Sequence, residues 1–316
     1  MPFDRHTTAM DAVRNIDLTG RTALVTGGAA GFGLSTATAL ASAGARVWIA
    51  DIDEAAAHSA AGCVRQAHPQ ARIEVLWLDL GSLAEVRAFA HDFLTRAPAL
   101  DMLVNNAGVM ACPQAYTVDG HERHFAVNFL GHYLLTRSLE PALRAAGRAR
   151  VVCLSSIAHR RTDIHYDDID YRVRPYERWD AYSQSKTACA LLAIAIDALW
   201  QERGIRSNTM NPGGSPTGLH QYLDEEERRR LGFIDGQGKQ PERWRTPDEC
   251  AATTVWLACA PELEGVGGQY FEEFAPAVPW RKEDPMCGVR PYAISKANAL
   301  RLWDVAAGMT GLPIGA

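Results

Sequence analysis

The fold of this chain is decided by residues 21–33, which read RTALVTGGAAGFG. The apolar run that opens the stretch predicts a buried strand, and the small residues that follow over 34–43 predict a helix. Between them lie Gly27, Gly31 and Gly33, where the backbone of a βαβ unit can approach a pyrophosphate at the helix N-terminus. The spacing Gly-x-x-x-Gly-x-Gly differs from the best-known dinucleotide fingerprint, so a plain tight turn is the alternative for the glycines taken alone.

Strands and helices keep alternating along the rest of the chain. After a short lead-in helix over 7–15, capped by Thr7 or Thr8, the apolar patterns predict strands at 46–51, 73–78, 102–105, 151–155, 206–211 and 268–271, and helices at 83–97, 122–146 and 182–200. This alternation favours an α/β fold with one doubly wound parallel sheet of the Rossmann type, which binds ligands at the carboxyl ends of its strands. We predict a single domain over residues 1–316, with a C-terminal helical extension over about 276–316.

Composition and charge limit the class of protein. The chain has 316 residues, of which 47% are hydrophobic and 22% charged, and its net charge of −5 argues against nucleic acid or an anionic membrane as a partner. No apolar run is long enough for a membrane span, and the first twenty residues lack a hydrophobic signal core. Seven cysteines without a Cys-x-x-Cys pair are typical of reduced core residues. We therefore expect a cytoplasmic enzyme or binding protein.

An acidic residue, Asp51, ends the predicted strand 46–51, about twenty residues after the glycine turn. A carboxylate at this place can accept both hydroxyls of an adenosine ribose and would repel a 2′-phosphate. No lysine or arginine lies in the glycine turn to offset that repulsion. Asp51 therefore favours NAD over NADP. The alternative is a solvated strand end or the cap of the next helix, for which Asp53 is better placed.

A candidate acid/base pair stands at Tyr182 and Lys186, in the sequence YSQSK. Positions i and i+4 share one face of a helix, so the two polar groups point to the same place. A free phenol titrates at about pH 10, and a nearby ammonium favours the phenolate, which suits such a pair to general acid/base chemistry. The pattern alone is weak, because it recurs from Tyr292 to Lys296. That copy has no strand-ending serine before it, and we predict that Tyr292 only packs.

Six motifs in a fixed order carry a resemblance to a known family. They are residues 26–33 (TGGAAGFG), 105–108 (NNAG), Asn128, Ser155-Ser156, Tyr182 with Lys186, and Pro212-Gly213 with Thr217. In this order the chain resembles the short-chain dehydrogenase/reductase family nearly from end to end. Residues 17–20 (DLTG), 127–136 (VNFLGHYLLT) and 300–303 (LRLW) make it similar to the branch of retinol dehydrogenases and WW-domain oxidoreductases. Many members of that branch carry a basic residue where Asp51 stands and prefer NADP, so this chain departs from them.

The resemblance implies a role for each of four catalytic residues. Ser156, rather than Ser155, would hydrogen-bond the substrate oxygen, and Tyr182 would exchange a proton with that oxygen while hydride moves to or from the nicotinamide. Lys186 would assist Tyr182 and hold the nicotinamide ribose, and Asn128 would anchor a water that relays protons. Two alternatives stay open: Ser156 as the cap of a helix or turn, and Asn128 as a buried amide that bonds only the backbone.

The resemblance also implies an NAD site across the strand ends. Asn106 and Gly108 would line the adenosine ribose. Asp79 and Leu80 would line the adenine, and Thr217 would bind the carboxamide. The full set of implied cofactor-binding residues is Gly27, Gly31, Phe32, Gly33, Asp51, Asp79, Leu80, Asn106, Ala107, Gly108, Tyr182, Lys186, Pro212, Gly213 and Thr217.

Residues 214–245 are irregular and rich in glycine, which favours a lid over the substrate. Apolar residues of this lid and of nearby loops predict a lipophilic or aromatic pocket; they are Tyr222, Leu223, Phe233, Trp244, Met110 and Trp179. Within the lid, residues 224–230 predict a solvated helix with ion pairs at i,i+4. His121 and His124 lack the third ligand of a zinc site, so no metal is expected, and we assign them to a helix surface. His159, Arg160 and Arg161 follow Ser156 closely, and we assign them to an exposed loop, with contact to a substrate as the alternative.

These observations predict an NAD-dependent oxidoreductase that interconverts a secondary alcohol, or a similar small hydroxyl compound, and its carbonyl. A carbonyl or C=C reductase that uses NAD(P)H is the alternative among enzymes. A dinucleotide-sensing binding protein without turnover is the alternative of another class, although it would need only the cofactor half of the motifs. The resembling family often pairs two long helices between subunits, here 122–146 and 182–200, which implies a homodimer or homotetramer.

Overall fold

The computed structural model describes residues 3–242 and 244–313. Its strands are β1 (Thr22–Thr26), β2 (Arg46–Asp51), β3 (Arg72–Trp77), β4 (Met102–Asn105), β5 (Ala149–Leu154), β6 (Ile205–Asn211), β7 (Tyr270–Glu272) and β8 (Ala275–Pro276). They form one sheet in the order β3-β2-β1-β4-β5-β6-β7-β8, in which only the pair of β7 and β8 is antiparallel. The order reverses at β1, between β2 and β4, which is the point where doubly wound sheets bind ligands. The α/β prediction is confirmed.

Helices cover both faces of the sheet. They are α1 (Ala9–Ala12), α2 (Gly31–Ser42), α3 (Glu54–Ala67), α4 (Leu83–Arg96), α5 (Arg123–Phe125), α6 (Gly131–Ser138), α7 (Glu140–Ala145), α8 (Arg178–Trp200), α9 (Glu225–Arg230), α10 (Pro247–Cys259) and α11 (Lys296–Met309). One hydrophobic core lies under α4, α6, α8 and α11, and a second lies under α2, α3 and α10. The extension belongs to the first core, because the ring of Trp303 lies 4.9 Å from that of Tyr133 and 5.4 Å from that of Trp200. None of the helices in the described ranges is long and apolar enough to cross a membrane.

Side-chain caps explain where several helices begin. Thr8, Asp53 and Glu177 each accept hydrogen bonds from backbone N–H groups in the first turn of α1, α3 and α8. The caps at Thr8 and Asp53 are those that the sequence predicts. Helix α8 begins at Arg178, four residues before the predicted range 182–200, because Glu177 supplies an earlier cap.

The predicted helix over 122–146 is broken into pieces. A π-helical turn, Ala126–Leu130, joins α5 to α6, and α7 starts again at Glu140. Pro141 is the reason for the second break: a proline lacks the N–H of a helix interior and is tolerated only in a first turn. The π turn contains Asn128, so it shapes the helix beside the predicted catalytic residues.

The segment that follows β6 contains a 3-10 turn, Gly218–His220, and then α9. Arg178, the first residue of α8, forms an ion pair with Glu227, a buried side chain of α9. The predicted pair of Arg229 with Glu225 is present, whereas Arg230 pairs with Glu227 and not with Glu226. Because Glu227 is buried, α9 is only partly the solvated helix that the sequence predicts. That residues 214–245 act as a lid stays a prediction.

Candidate active site

The glycine-rich turn lies against the segment that follows β4. Gly27 has a φ of +64°, which favours glycine, and a Cβ there would lie 2.8 Å from Cα of Ala107. A Cβ on Gly33 would lie 2.1 Å from the carbonyl oxygen of Gly27. Nδ2 of Asn106 donates to the carbonyls of Thr26 (2.7 Å) and Gly27 (3.1 Å). Four predicted cofactor residues thus lie together at the start of α2, where the surface is formed by backbone atoms. They are Gly27, Gly33, Asn106 and Ala107.

Two carboxylates stand at the ends of the paired strands β2 and β3. Oδ2 of Asp51 accepts the N–H of Ala29 in the glycine turn at 3.0 Å, and its Oδ1 accepts the N–H of Asp53 at 3.1 Å. The cap of α3 is Asp53, so Asp51 faces the turn rather than the helix. Oδ1 of Asp79 accepts the N–H of Gly81 at 2.7 Å. Both acids therefore lie where the adenosine end of a dinucleotide is predicted.

The segment after β6 crosses the start of α2. A Cβ on Gly31 would lie 3.4 Å from Cγ2 of Thr217, so the two predicted cofactor residues are neighbours. Before them, Gly213 has a φ of +84°, and the carbonyl of Pro212 accepts a hydrogen bond from Arg245 at 2.8 Å. This bond anchors the Pro-Gly turn to the far end of the predicted lid.

Phe32 and Leu80 are the two hydrophobic members of the predicted cofactor site. Phe32 is half-buried and packs against the core under α2, and Leu80 is buried in the core of the opposite face. Both side chains therefore pack in the hydrophobic cores. That they also contact the cofactor stays a prediction.

Tyr182 and Lys186 lie on one face of α8 and are only 4% and 5% exposed. Nζ of Lys186 lies 5.9 Å from the ring centroid of Tyr182 and donates to the carbonyl of Leu154 at the end of β5 (3.1 Å). A Cβ on Gly108 would lie 3.5 Å from Nζ of Lys186 and 3.0 Å from Oδ1 of Asn128. Residues from α8, from the π turn and from the end of β4 therefore converge at one point.

The two serines that follow β5 have different environments. Ser155 is buried, and its Oγ donates to the carbonyl of Lys186 at 2.8 Å. Ser156 is half-buried, and its Oγ accepts the N–H of Ala158 at 3.2 Å, which caps the 3-10 turn Ile157–Arg161. The capping contact that stood as the alternative is therefore present. A serine hydroxyl that accepts a bond can still donate its proton, so the role of Ser156 toward a substrate oxygen stays a prediction.

Asn128 makes the backbone contacts of its alternative role and, in addition, one contact to a side chain. Its Oδ1 accepts the N–H of Val109 at 2.7 Å, and its Nδ2 donates to the carbonyl of Val109 (3.0 Å) and to Oγ of Ser185 (2.9 Å). Its own carbonyl lies 2.9 Å from Nδ1 of His132. Burial lowers the pKa of His132 to about 4, so the ring is neutral and Nδ1 can donate to that carbonyl. The role of Asn128 as a water anchor stays a prediction.

His159 is fully buried, and its assignment to an exposed loop is wrong. Burial lowers its pKa to about 4, and the neutral ring donates from Nδ1 to the carbonyl of Ser156 (2.7 Å) while Nε2 accepts the N–H of Arg290 (3.3 Å). The hydroxyl of Tyr270 lies 3.2 Å from Nδ1. Tyr292 donates to the carbonyl of His159 at 2.8 Å, so it packs as predicted. In the sequence, the spacing of three residues between Ser156 and His159 could have indicated this contact, because residues at i and i+3 align in a 3-10 turn.

His124 and its neighbour Glu122 are fully buried, so the assignment of His124 to a helix surface is wrong. His121 is half-buried and lies before α5. Nδ1 of His124 lies 2.8 Å from Oε1 of Glu122, and Nε2 accepts the N–H of Cys112 at 3.1 Å. The ring of His124 lies 6.0 Å from that of Tyr182, centroid to centroid. No group of three or more metal-ligating side chains occurs in the described part of the chain. Hydrogen bonds thus join the pair to each other and to the backbone of Cys112, next to the predicted catalytic tyrosine.

An apolar cluster contains Tyr182. Met110, Ala111 and Leu223 are buried in it, and partly buried side chains complete it; these are Ala158, Trp179, Leu219, Leu231 and Phe233. Four of the six predicted pocket residues are members. Trp244 joins only through Phe233, at a ring distance of 5.1 Å. The surface beside the tyrosine is thus shared by the end of β4 and the segment after β6.

Comparisons with known proteins agree with this geometry. The chain matches the family model of short chain dehydrogenases over residues 21–228. It is 43% identical to the polyprenol dehydrogenase of Mus musculus over 82% of this chain and 78% of that protein, and 35% identical to retinol dehydrogenase 14 of Mus musculus over 93% and 86%. Its structure is similar to that of Pseudomonas aeruginosa RhlG in complex with NADP, with a TM-score of 0.63 and 28% identity over 81% of this chain and 95% of that chain.

Proposed function

This chain belongs to the short-chain dehydrogenase family, with retinol dehydrogenases among its relatives as its motifs indicate, and on that premise we propose that it transfers a hydride between a lipophilic secondary alcohol and NAD to give the carbonyl compound. The observation that carries the proposal is the convergence of Tyr182, Lys186 and Asn128 with Gly108 at the strand ends. A fold that only sensed a dinucleotide would not need this second set of residues.

Gly27 and Gly33 let the end of β1, the start of α2 and Ala107 pack closely, because a Cβ at either glycine would collide with backbone. The turn fits a dinucleotide because its glycines also present no side chains at the start of α2. Its bare surface lies at the N-terminus of α2, where a pyrophosphate is favoured by free N–H groups and the helix dipole. We also propose that the cofactor is held by the remaining cofactor-binding residues that the sequence motifs imply, from Gly31 to Thr217. When bound, NAD supplies the carbon atom that accepts or returns the hydride.

Asp51 supports NAD rather than NADP. Its half-buried carboxylate is oriented by the N–H groups of Ala29 and Asp53, and its remaining lone pairs can accept the two ribose hydroxyls. A 2′-phosphate at this place would meet a like charge. The similar structure of RhlG is a complex with NADP, so the fold alone does not select the cofactor, and we propose that Asp51 makes the choice.

The proton of the alcohol O–H group would pass to the deprotonated phenol oxygen of Tyr182 as the hydride leaves the carbinol carbon. The ammonium of Lys186 would stabilise the negative charge on that oxygen, and the hydroxyl of Ser156 would orient the substrate oxygen. The buried position of Tyr182 excludes bulk water from this exchange. In the reverse direction the same hydroxyl would return the proton to the carbonyl oxygen.

The apolar cluster around Tyr182 supports a lipophilic substrate. The side chains that pack with the tyrosine in this cluster are hydrophobic, as in a pocket for an apolar ligand. Two relatives are named as dehydrogenases of polyprenol and retinol, which are lipophilic alcohols. The cytoplasmic location and the homodimer or homotetramer stay predictions.

The test is an assay at 340 nm with NAD or NADP and a panel of lipophilic secondary alcohols. We expect Tyr182→Phe to lower kcat by about 100-fold or more, since an acid/base residue contributes about 10²–10⁴ in rate, with NADH affinity nearly unchanged. Asp51→Ala should raise the relative efficiency with NADP. Tyr116→Phe, a change at a tyrosine outside the site, is the control. An unaffected rate in Tyr182→Phe would overturn the mechanism, and NADH binding without any turnover would favour the sensor.

A further inference from the structure

Residues 109–112, here called the arch, leave the end of β4 and are held at both ends by side chains from other elements. Asn128 binds the N–H (2.7 Å) and the carbonyl (3.0 Å) of the first residue, Val109. Nε2 of His124 accepts the N–H of the last residue at 3.1 Å, and the hydroxyl of Tyr176 donates to its carbonyl at 2.9 Å. The backbone N–H and the backbone carbonyl of both end residues, Val109 and Cys112, are therefore hydrogen-bonded to side chains.

The clamp at the second end is itself fixed from behind. Because Nε2 of His124 accepts a hydrogen bond, the proton of the neutral ring lies on Nδ1 and is donated to Oε1 of Glu122 (2.8 Å). Oε2 of Glu122 accepts the N–H of Phe125 at 2.9 Å. Glu122 and His124 are fully buried, which costs several kcal/mol unless the groups are paired. Apolar side chains could fill the same volume without this desolvation cost. We therefore infer that Glu122 and His124 are there to hold the end of the arch in position.

The middle of the arch is strained and faces the catalytic tyrosine. Ala111 has a φ of +53°, a left-handed conformation that is unfavourable for a residue other than glycine. Such strain persists only when the surroundings impose it. Met110 and Ala111 are both buried in the apolar cluster with Tyr182 and Leu223. The clamped ends therefore press these two side chains toward the place where a substrate would react.

We propose that the arch is the specificity-determining wall of the substrate site, and that Glu122, His124 and Tyr176 are positioning residues that hold it in place. The wall limits the bulk that a secondary alcohol can carry beside its carbinol carbon, opposite the segment that follows β6. This inference rests on the proposed alcohol dehydrogenase function. It adds that the size of one substituent on the carbinol carbon determines which alcohols bind.

The test compares 1-phenylethanol with diphenylmethanol, which differ in bulk at the carbinol carbon. In Tyr176→Phe and in Met110→Ala, we expect the ratio of kcat/KM for the bulky to the small alcohol to rise at least fivefold, with NADH affinity within twofold of wild type. His124→Leu should act in the same direction, and His124→Gln, which can still donate and accept, should restore the wild-type ratio. Hydrogen exchange of the peptide that spans the arch should become at least tenfold faster in Tyr176→Phe and His124→Leu only.

The matched control is Tyr116→Phe, because its hydroxyl also donates to a loop carbonyl, that of Tyr171 (3.1 Å), but outside the cluster. Binding of the same two alcohols to the protein–NADH complex, measured by calorimetry, gives the ratio without turnover. Loss of turnover with a shifted binding ratio would reject the proposed reaction and keep the wall. An unchanged ratio in both Tyr176→Phe and Met110→Ala would overturn the wall, and unchanged exchange in Tyr176→Phe would overturn the clamp.

Discussion

The cofactor half and the substrate half of this site are built in different ways. Around Gly27 and Gly33 the surface is backbone, shaped by residues within a few positions of a strand end. Around His124 and His159 it depends on buried side chains, and some of their partners lie far along the chain. The hydroxyl of Tyr176, 52 residues after His124, lies 3.3 Å from Nδ1 of that histidine. His159, for example, accepts the N–H of Arg290, 131 residues later.

This difference separates what each half tolerates. A backbone surface needs empty space, so it should be damaged by an added atom. A network of buried side chains needs every partner, so it should be damaged by a removed one. The following experiments test that contrast in order of expected effect.

Gly33→Ala should produce the largest loss. The added Cβ would lie 2.1 Å from a backbone oxygen that no side-chain movement can relieve. We expect NADH to bind at least 1000-fold more weakly, about 4 kcal/mol, by fluorescence titration. Gly62→Ala, in α3, is the matched control, because a Cβ there meets nothing within 4 Å. An affinity of Gly33→Ala within threefold of wild type would refute the account of the cofactor half.

Acid should destabilise both halves, through His132 in the cofactor half and His159 in the substrate half. His132 bonds Oγ1 of Thr26 (2.8 Å) in the cofactor half, and His159 serves the substrate half. Burial lowers both pKa values from 6.5 to about 4, so the unfolded chain binds protons more readily between these pH values. The free energy of unfolding should therefore be full above pH 6.5 and fall as the pH drops toward 4, by on the order of 2–3 kcal/mol per histidine.

Urea titrations between pH 4 and 8 measure this dependence. His132→Gln and His159→Gln should each remove part of the acid sensitivity, whereas His58→Gln, at a side chain that is 59% exposed, should not. In His159→Gln we also expect a lower kcat with unchanged NADH affinity. Equal acid sensitivity in all four proteins would show that neither histidine is neutral because of burial.

Arg178→Met should have the smallest effect, confined to the substrate half. Its partner Glu227 is buried on α9, so the ion pair holds the segment that carries Leu223 against α8. We expect KM for the alcohol to rise about three- to fivefold, near 1 kcal/mol, while NADH affinity stays constant. Arg229→Met removes an exposed pair with Glu225 and should change neither value. A rise in KM that Arg229→Met reproduced would argue against a specific role for the buried pair.

Much of the cofactor half could be predicted from the sequence because its signals are local. The bounds of β2 and β4, the caps at Thr8 and Asp53 and the glycine turn all follow from neighbouring residues. The sequence predicts one helix over 122–146, whereas the structure has several pieces. Apolar periodicity does not reveal the π turn, and Pro141, which ends the preceding helix, is not taken into account by that periodicity.

The sequence by itself determined the doubly wound sheet, the glycine turn and the pairing of Tyr182 with Lys186, because strand period, helix period and turn chemistry operate over a few residues. Only the tertiary structure decided that Glu122, His124 and His159 are buried. A charged or polar side chain can be buried only where its partners meet it, and those partners, Cys112 and Arg290 among them, are brought there by the packing of separate elements.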